Sequence, residues 1–257
     1  MSLLSELKKF PVKSISLNGR RQTYREAGSG RALILLHGIS SGAGSWVNQL
    51  RDLQNHYHLI AWDAPGYGES EALANNTPTA KDYGQEIAKL IDALKLEKPL
   101  IIGHSLGAMM ASGFIEVSDN YRALMFANPA QGYGSESLEK REEIYQRRPK
   151  MLEELGADGM ADARGPHLLA SDATQEELEL IRYSMQRLTL HGFRQASYLL
   201  AHDDIWRYID NFQQSIAVQY GLKDGITPQS GVERLIERLP NSQPFPIGGA
   251  AHVSYVD

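Results

Sequence analysis

Five residues constrain this chain more than any others: Gly103-His104-Ser105-Leu106-Gly107. An apolar run, Pro99–Ile102, precedes them, and a helical pattern over Leu106–Val117 follows. A strand that becomes a helix within so few residues must turn at a sharp elbow. Glycines on both sides of Ser105 let the backbone pass closely there. The serine hydroxyl then stands above the sheet edge, with a helix N-terminus and its partial positive charge beneath it. Elsewhere in a chain this five-residue pattern can be a plain tight turn; on a strand-to-helix junction it points to a nucleophile.

The rest of the sequence supplies the sheet that such an elbow needs. Short apolar runs at Ala32–Leu36, His58–Ala61, Leu124–Ala127 and Ser215–Tyr220 lack clean alternation, as expected of strands covered on both faces of a parallel sheet. Helical spacing of Ile87, Leu90, Ile91 and Leu94 marks Tyr83–Leu94, and Val232–Leu239 reads similarly. Strand and helix therefore alternate, which predicts an α/β layered fold. Near the start, Ser14–Leu17 and Gln22–Tyr24 flank Asn18-Gly19, the signal of a two-residue hairpin turn.

The alternation stops at Pro129 and returns only after Ile205. Residues 129–202 are charged and helical in pattern, clearest over Ser137–Leu155 and Gln175–Leu200, and read as a helical insertion between two strands. On Gln175–Leu200, helical spacing puts Tyr183, Arg187, His191, Arg194 and Tyr198 on one face. That face is either solvated or a place where Arg187 or Arg194 pairs with a substrate carboxylate.

Composition narrows the function. With 257 residues, 42% hydrophobic and 22% charged, the chain is an ordinary globular one able to bury a large core. Its 26 basic and 31 acidic residues give a formal charge of −5, without the basic footprint of a nucleic-acid binder. There is no cysteine, which excludes disulfides, thiol nucleophiles and zinc–thiolate sites. Met1–Phe10 holds no apolar stretch of signal-peptide length, and the densest apolar run, Ala32–Leu36, is far short of a membrane span. A cytoplasmic location with no membrane partner is expected.

A serine hydroxyl needs a base, and the base needs an orienting carboxylate. Of the eight histidines, His252 is the best placed: it follows a run at Gln243–Ile247, in the small-residue loop Gly248-Gly249-Ala250-Ala251. Asp224 follows Ser215–Tyr220 and is the matching acid, although an Asp-Gly pair is also an ordinary turn. The position after the preceding strand holds Asn128, which cannot be the acid. A developing oxyanion requires two donors, and the backbone amides of Ile39 and Leu106 are the candidates, with His37 bracing the first loop. His56 and His58 lack a third ligand in sequence, and His202-Asp203-Asp204 reads as a helix cap, so no metal site is expected.

Taken together, His37-Gly38, Asp63-Ala64-Pro65-Gly66-Tyr67-Gly68-Glu69-Ser70, Gly103–Gly107, Gly221-Leu222-Lys223-Asp224 and His252 resemble the α/β-hydrolase superfamily. The order serine, acid, histidine is that family's. The similarity covers about 1–128 and 203–257, and it extends to the bacterial group of 3-oxoadipate enol-lactonases and related esterases. It implies an α/β-hydrolase fold, a mostly parallel twisted sheet flanked by helices, with 129–202 as an inserted cap. It also implies a serine hydrolase acting on a small ester or lactone, with Ser105, His252 and Asp224 as the catalytic set and no metal or organic cofactor. Members usually carry a helix beyond the histidine, whereas this sequence runs only to Asp257.

Two other activities fit the same family. Gly42-Ala43-Gly44-Ser45-Trp46 is similar to a loop in hydrolases of carbon–carbon bonds in aromatic ring-cleavage products, which would put Trp46 against the substrate. That group typically has Asn before the serine and Trp after the histidine, where His104 and Val253 stand here. A slow-turnover ligand sensor on the same fold is the third reading.

Overall fold

The computed structural model describes residues 2–257; Met1 lies outside them. In chain order the elements are α1 (Leu3–Leu7), β1 (Lys13–Leu17), β2 (Arg20–Ala27), β3 (Ala32–Leu36), α2 (Val47–Leu53), β4 (His58–Asp63), α3 (Ala80–Ala93), β5 (Leu100–His104), α4 (Leu106–Ile115) and β6 (Ala123–Ala127). There follow α5 (Leu138–Arg164), α6 (Gln175–Met185), α7 (Leu190–His202), α8 (Trp206–Ile209), β7 (Ile216–Gly221), α9 (Gln229–Arg238) and β8 (Ser242–Ile247).

The eight strands form one sheet in the order β1-β2-β4-β3-β5-β6-β7-β8. β1 and β2 make the antiparallel hairpin, with Asn18 and Gly19 at φ 51° and 84° as a type I′ turn demands, and β2 also runs antiparallel to β4. Every later pairing is parallel. All five residues of β3 are buried, which explains why its sequence shows no alternation.

The strand order locates the site. From β3 the chain moves outward to β4, and from β5 it moves outward the other way to β6. The loops leaving β3 and β5 therefore diverge, and a crevice opens between their carboxyl ends, where open α/β sheets bind ligands. The β3 loop carries Gly38 and Ile39; the β5 loop carries Ser105.

The elbow fits only without a side chain at Gly107. A Cβ placed there would lie 2.4 Å from the carbonyl oxygen of Leu36 in the neighbouring strand. Because the obstacle is buried backbone, Gly107→Val is expected to destabilise the fold by about 3 kcal/mol, lowering Tm by roughly 6–12 °C. A thermal melt within 2 °C or so of the parent would refute that close approach.

Between β6 and β7 the described residues form helices and no strand. Helix α5 breaks at Gly156, whose φ of 66° and ψ of 179° are not helical, so Leu138–Leu155 and Ala157–Arg164 run in different directions. The sequence run Gln175–Leu200 is likewise two helices, not one. It divides after Met185, and Thr189 starts α7 by accepting the Gly192 N–H through its hydroxyl. Asp203 closes α7, and its carboxylate also accepts the Ala80 N–H at the start of α3 (2.7 Å) and the Tyr208 hydroxyl (2.7 Å). His58 pairs with Glu26 in the sheet. Among the described residues no helix is long and apolar enough to cross a membrane, and no three His, Asp or Glu side chains converge as metal ligands would.

Candidate active site

Ser105 sits at φ 50°, ψ −115°, a conformation that a residue with a Cβ adopts only when its surroundings impose it. Here they do. Its N–H donates to Ala127 O (2.9 Å), and its carbonyl accepts from Ala108 (3.0 Å) and Ala130 (3.2 Å). The elbow is thus tied to β6 on one side and to α4 on the other, and the hydroxyl points out of it.

The structure brings Ser105, His252 and Asp224 into one chain of hydrogen bonds. His252 Nε2 lies 3.1 Å from Ser105 Oγ, and His252 Nδ1 lies 2.9 Å from Asp224 Oδ2. All three are buried. A carboxylate only accepts, so Nδ1 carries the proton and Nε2 turns its lone pair to the serine hydroxyl. That arrangement can remove the serine proton.

Asp224 is held by more than the histidine. Its Oδ1 accepts from the amides of Ile226 (2.7 Å) and Thr227 (3.0 Å), and its Oδ2 accepts from Thr227 Oγ1 (2.6 Å) and Asn128 Nδ2 (2.8 Å). Burial pushes this carboxyl up. The hydrogen bond and charge of His252, joined by the Thr227 donors, outweigh burial and hold it well below the usual carboxylate range. Asn128, excluded above as the acid, is therefore an orienting donor to the acid, and its second N–H bond runs to Ala251 O (3.1 Å) beside the histidine. Neither it nor Thr227 was singled out for this role by the sequence; only the meeting of β6 and β7 reveals it.

Two further histidines shape the site without joining the chemistry. His104 Nε2 donates to the carbonyl of His252 (2.8 Å), fixing that loop. Burial and the nearby His252 pull its imidazole down to about 3, so it stays neutral. His37 Nδ1 donates to Gly38 O (2.8 Å), and its Nε2 accepts the Ala64 N–H (3.1 Å), which is the bracing role expected of it. Tyr67 adds a bond from its hydroxyl to Ile39 O (2.8 Å). The bond from His37 to Gly38 O holds the peptide that carries the Ile39 N–H, and the bond from Tyr67 holds the next one. Neither the Ile39 nor the Leu106 amide has an acceptor among the described residues, so both can donate to an oxyanion.

Above Ser105 and His252 lies a cavity of ≈ 500 Å³. Three residues expected to touch substrate lie outside it. Arg187 follows the break after α6 and faces Glu69 at 3.6 Å; Arg194, on α7, pairs with Glu153 at 2.6 Å on the surface. The single helical stripe drawn from the sequence does not exist, because the chain turns between Met185 and Leu190 and rotates the two segments apart. Trp46 is 1% exposed and stacks on Tyr255 with ring centroids 3.9 Å apart, behind the site and not in it. The arginines that do reach the cavity from the helical segment are Arg148 and Arg164.

The comparisons with known proteins agree with this architecture. Residues 31–257 match the model of the alpha/beta hydrolase fold family, and the chain belongs to that family. It is 28% identical over 186 residues to (E)-2-((N-methylformamido)methylene)succinate hydrolase of Acinetobacter baylyi, a match covering 72% of this chain and 66% of that protein. It is 32% identical over 111 residues to 2-hydroxy-6-oxo-6-phenylhexa-2,4-dienoate hydrolase of Comamonas testosteroni, covering 41% of this chain and 39% of that one. The chain thus spans less than two thirds of these relatives' lengths. Among solved structures, a thermophilic esterase from Thermogutta terrifontis superposes with a TM-score of 0.84 over 96% of this chain and 93% of its own, at 22% identity, a likeness of fold.

Proposed function

We propose that this protein is a serine hydrolase cleaving a small carboxylic ester or lactone, with residues 129–202 as a cap over the site. The observation that carries the reading is the buried relay from Ser105 through His252 to Asp224, at 3.1 Å and 2.9 Å, opening on the cavity.

In this mechanism Ser105 Oγ attacks the substrate carbonyl while His252 Nε2 takes its proton. The carbonyl oxygen, becoming an oxyanion, receives the Ile39 and Leu106 amides. His252 then gives the proton to the departing alkoxide, leaving an acyl-enzyme on Ser105. Water, deprotonated by the same imidazole, attacks the acyl carbonyl, and the serine leaves with its proton restored. Asp224 holds the imidazole and stabilises its charged form. Nucleophile, base and electrophilic donors all come from the chain, so the cycle calls for no metal or organic cofactor.

A second reading, hydrolysis of a carbon–carbon bond, is supported by the Comamonas relative, whose name describes such a ring-fission product. His104 and Val253 depart from that group's usual pattern around the nucleophile and base, and the ester reading is preferred.

The test is labelling with a fluorophosphonate probe, alongside turnover of 4-nitrophenyl acetate. One equivalent of label on Ser105, mapped by mass spectrometry, with burst release of nitrophenol, is the expected result. A folded protein that neither takes the label nor releases nitrophenol would be a ligand sensor and not a hydrolase.

A further inference from the structure

Arg148 and Arg164 line the same cavity as Ser105 and His252, although sixteen positions separate them along α5. The break at Gly156 makes this possible, because it redirects Ala157–Arg164 after the Leu138–Leu155 segment. Both guanidinium groups are partly buried. Neither guanidinium has a hydrogen-bond or ion-pair partner within the described residues, and the Nε of each is buried.

Elsewhere in the helical segment Arg141 is also without a partner but does not line the cavity, and Arg147 is exposed; three others have acids beside them. Arg182 bonds Asp158 and Asp162, Arg187 faces Glu69, and Arg194 bonds Glu153. The two acids lining the cavity do not neutralise the pair: Asp204 accepts the Trp206 N–H at the start of α8, and Glu136 is exposed. Burial and the charge of Arg164 pull Arg148 down to about 10, so it still carries its charge at neutral pH. Two like charges drawn out of water towards each other are unfavourable without an anion. A guanidinium fork matches a carboxylate in shape and charge.

We infer that Arg148 and Arg164 form an anion subsite that holds a free carboxylate on the substrate, so that the compound hydrolysed is an acidic ester or lactone. This inference rests on the hydrolase reading for the reaction and on the unpartnered arginines for the substrate class. The helix-borne clamp expected at Arg187 and Arg194 is thereby replaced by a different pair, set by the fold and not by helical spacing.

The experiment compares matched substrates. 4-Nitrophenyl hydrogen glutarate and 4-nitrophenyl pentanoate have the same acyl length and differ in a terminal carboxylate; 4-acetoxybenzoate and phenyl acetate place the difference on the leaving group. The parent is expected to favour the charged member of at least one pair, with a KM that rises with salt. Arg148→Gln and Arg164→Gln should each lower kcat/KM for that substrate by roughly 10- to 100-fold, mainly through KM, and affect its neutral partner far less. Arg148→Lys, which keeps the charge and loses the fork, should fall between and guards against a folding defect. Equal loss on charged and neutral substrates, or no loss on either, would overturn the subsite while the esterase reading stood. Calorimetric binding of glutarate provides the second arm. Binding by the parent and not by the variants, in a protein that turns over no ester, would uphold the subsite and sink the hydrolase reading; no binding and no charge preference would overturn the subsite.

Discussion

Ser105→Ala is expected to lower kcat on any substrate this protein turns over by something on the order of 10⁶-fold, with the fold intact. In a comparable protease, removing the nucleophile alone forfeits nearly everything the catalytic set supplies, and the residual rate comes from binding and the oxyanion donors. The same logic holds here because Ser105 Oγ is the only atom that His252 Nε2 bonds among the described residues. The fold should tolerate the change. Alanine keeps the Cβ, the elbow is fixed by main-chain bonds to Ala127, Ala108 and Ala130, and the lost hydroxyl bonds no structural group. Steady-state kinetics and a thermal melt on the same preparation decide the matter. Near-parental turnover in a folded variant would remove Ser105 from the mechanism.

Asp224→Asn should be almost as damaging, with a loss in kcat of about 10⁴-fold by analogy with the serine proteases. The local geometry says why. Three donors converge on Asp224 Oδ2: His252 Nδ1, Thr227 Oγ1 and Asn128 Nδ2. Two backbone amides converge on Oδ1. An asparagine must put its own NH2 into one of those groups of donors, and if it faces His252 the imidazole is driven to the other tautomer. Nε2 would then present a proton to the serine and could not accept one. Stability should change with pH as well. The Asp224 carboxyl lies well below the usual range when folded, so its contribution is complete above the unfolded value of about 3.9 and disappears as pH falls through the folded one. The variant should therefore be less stable than the parent at neutral pH, and the gap should narrow as the solution is made strongly acidic. Urea midpoints measured between neutral pH and pH 2 or so would reveal it; a gap that stayed constant would mean that Asp224 is not a stabilised carboxylate.

What the sequence discloses and what it withholds divide along physical lines. Strands covered on both faces show as uninterrupted apolar runs, and Ala32–Leu36 matches β3 residue for residue. The hairpin shows because Asn-Gly favours positive φ. Ser105, Asp224 and His252 can be picked out because each follows a strand, and strand ends in this architecture converge on one edge. The helical segment is less legible. Ser137–Leu155 ends where α5 breaks, at Gly156, but the second half of that helix is masked by a glycine-containing sequence. Gln175–Leu200 reads as one helix because its apolar spacing continues across the break. The one local warning was Thr189, a residue type that caps helices, sitting in the middle of the run. Arg148 and Arg164 could not be recognised at all: a lone arginine on a charged helix looks the same whether its partner is an acid, water or a ligand. Trp46 was misplaced for a related reason, since an aromatic beside a glycine-rich loop can pack inward, as it does onto Tyr255, or outward.

The stretch after His252 does more than complete the fold. The Val253 N–H donates to Leu168 O in the helical segment (2.9 Å), and the Asp257 carboxylate accepts from Ala170 (3.0 Å) on that side and from Ala251 (2.6 Å) on the other. On the proposed mechanism, the general base is thus leashed to the helical segment that would roof its cavity. Raising the roof enough to part Leu168 from Val253 strains the residue next to the imidazole, so access and reactivity compete. A wide-open form would admit bulky esters and leave Ser105 without an aligned base. If the proposed reaction holds, size selection would follow from alignment as well as from volume: the compounds processed would be those that enter without breaking the leash.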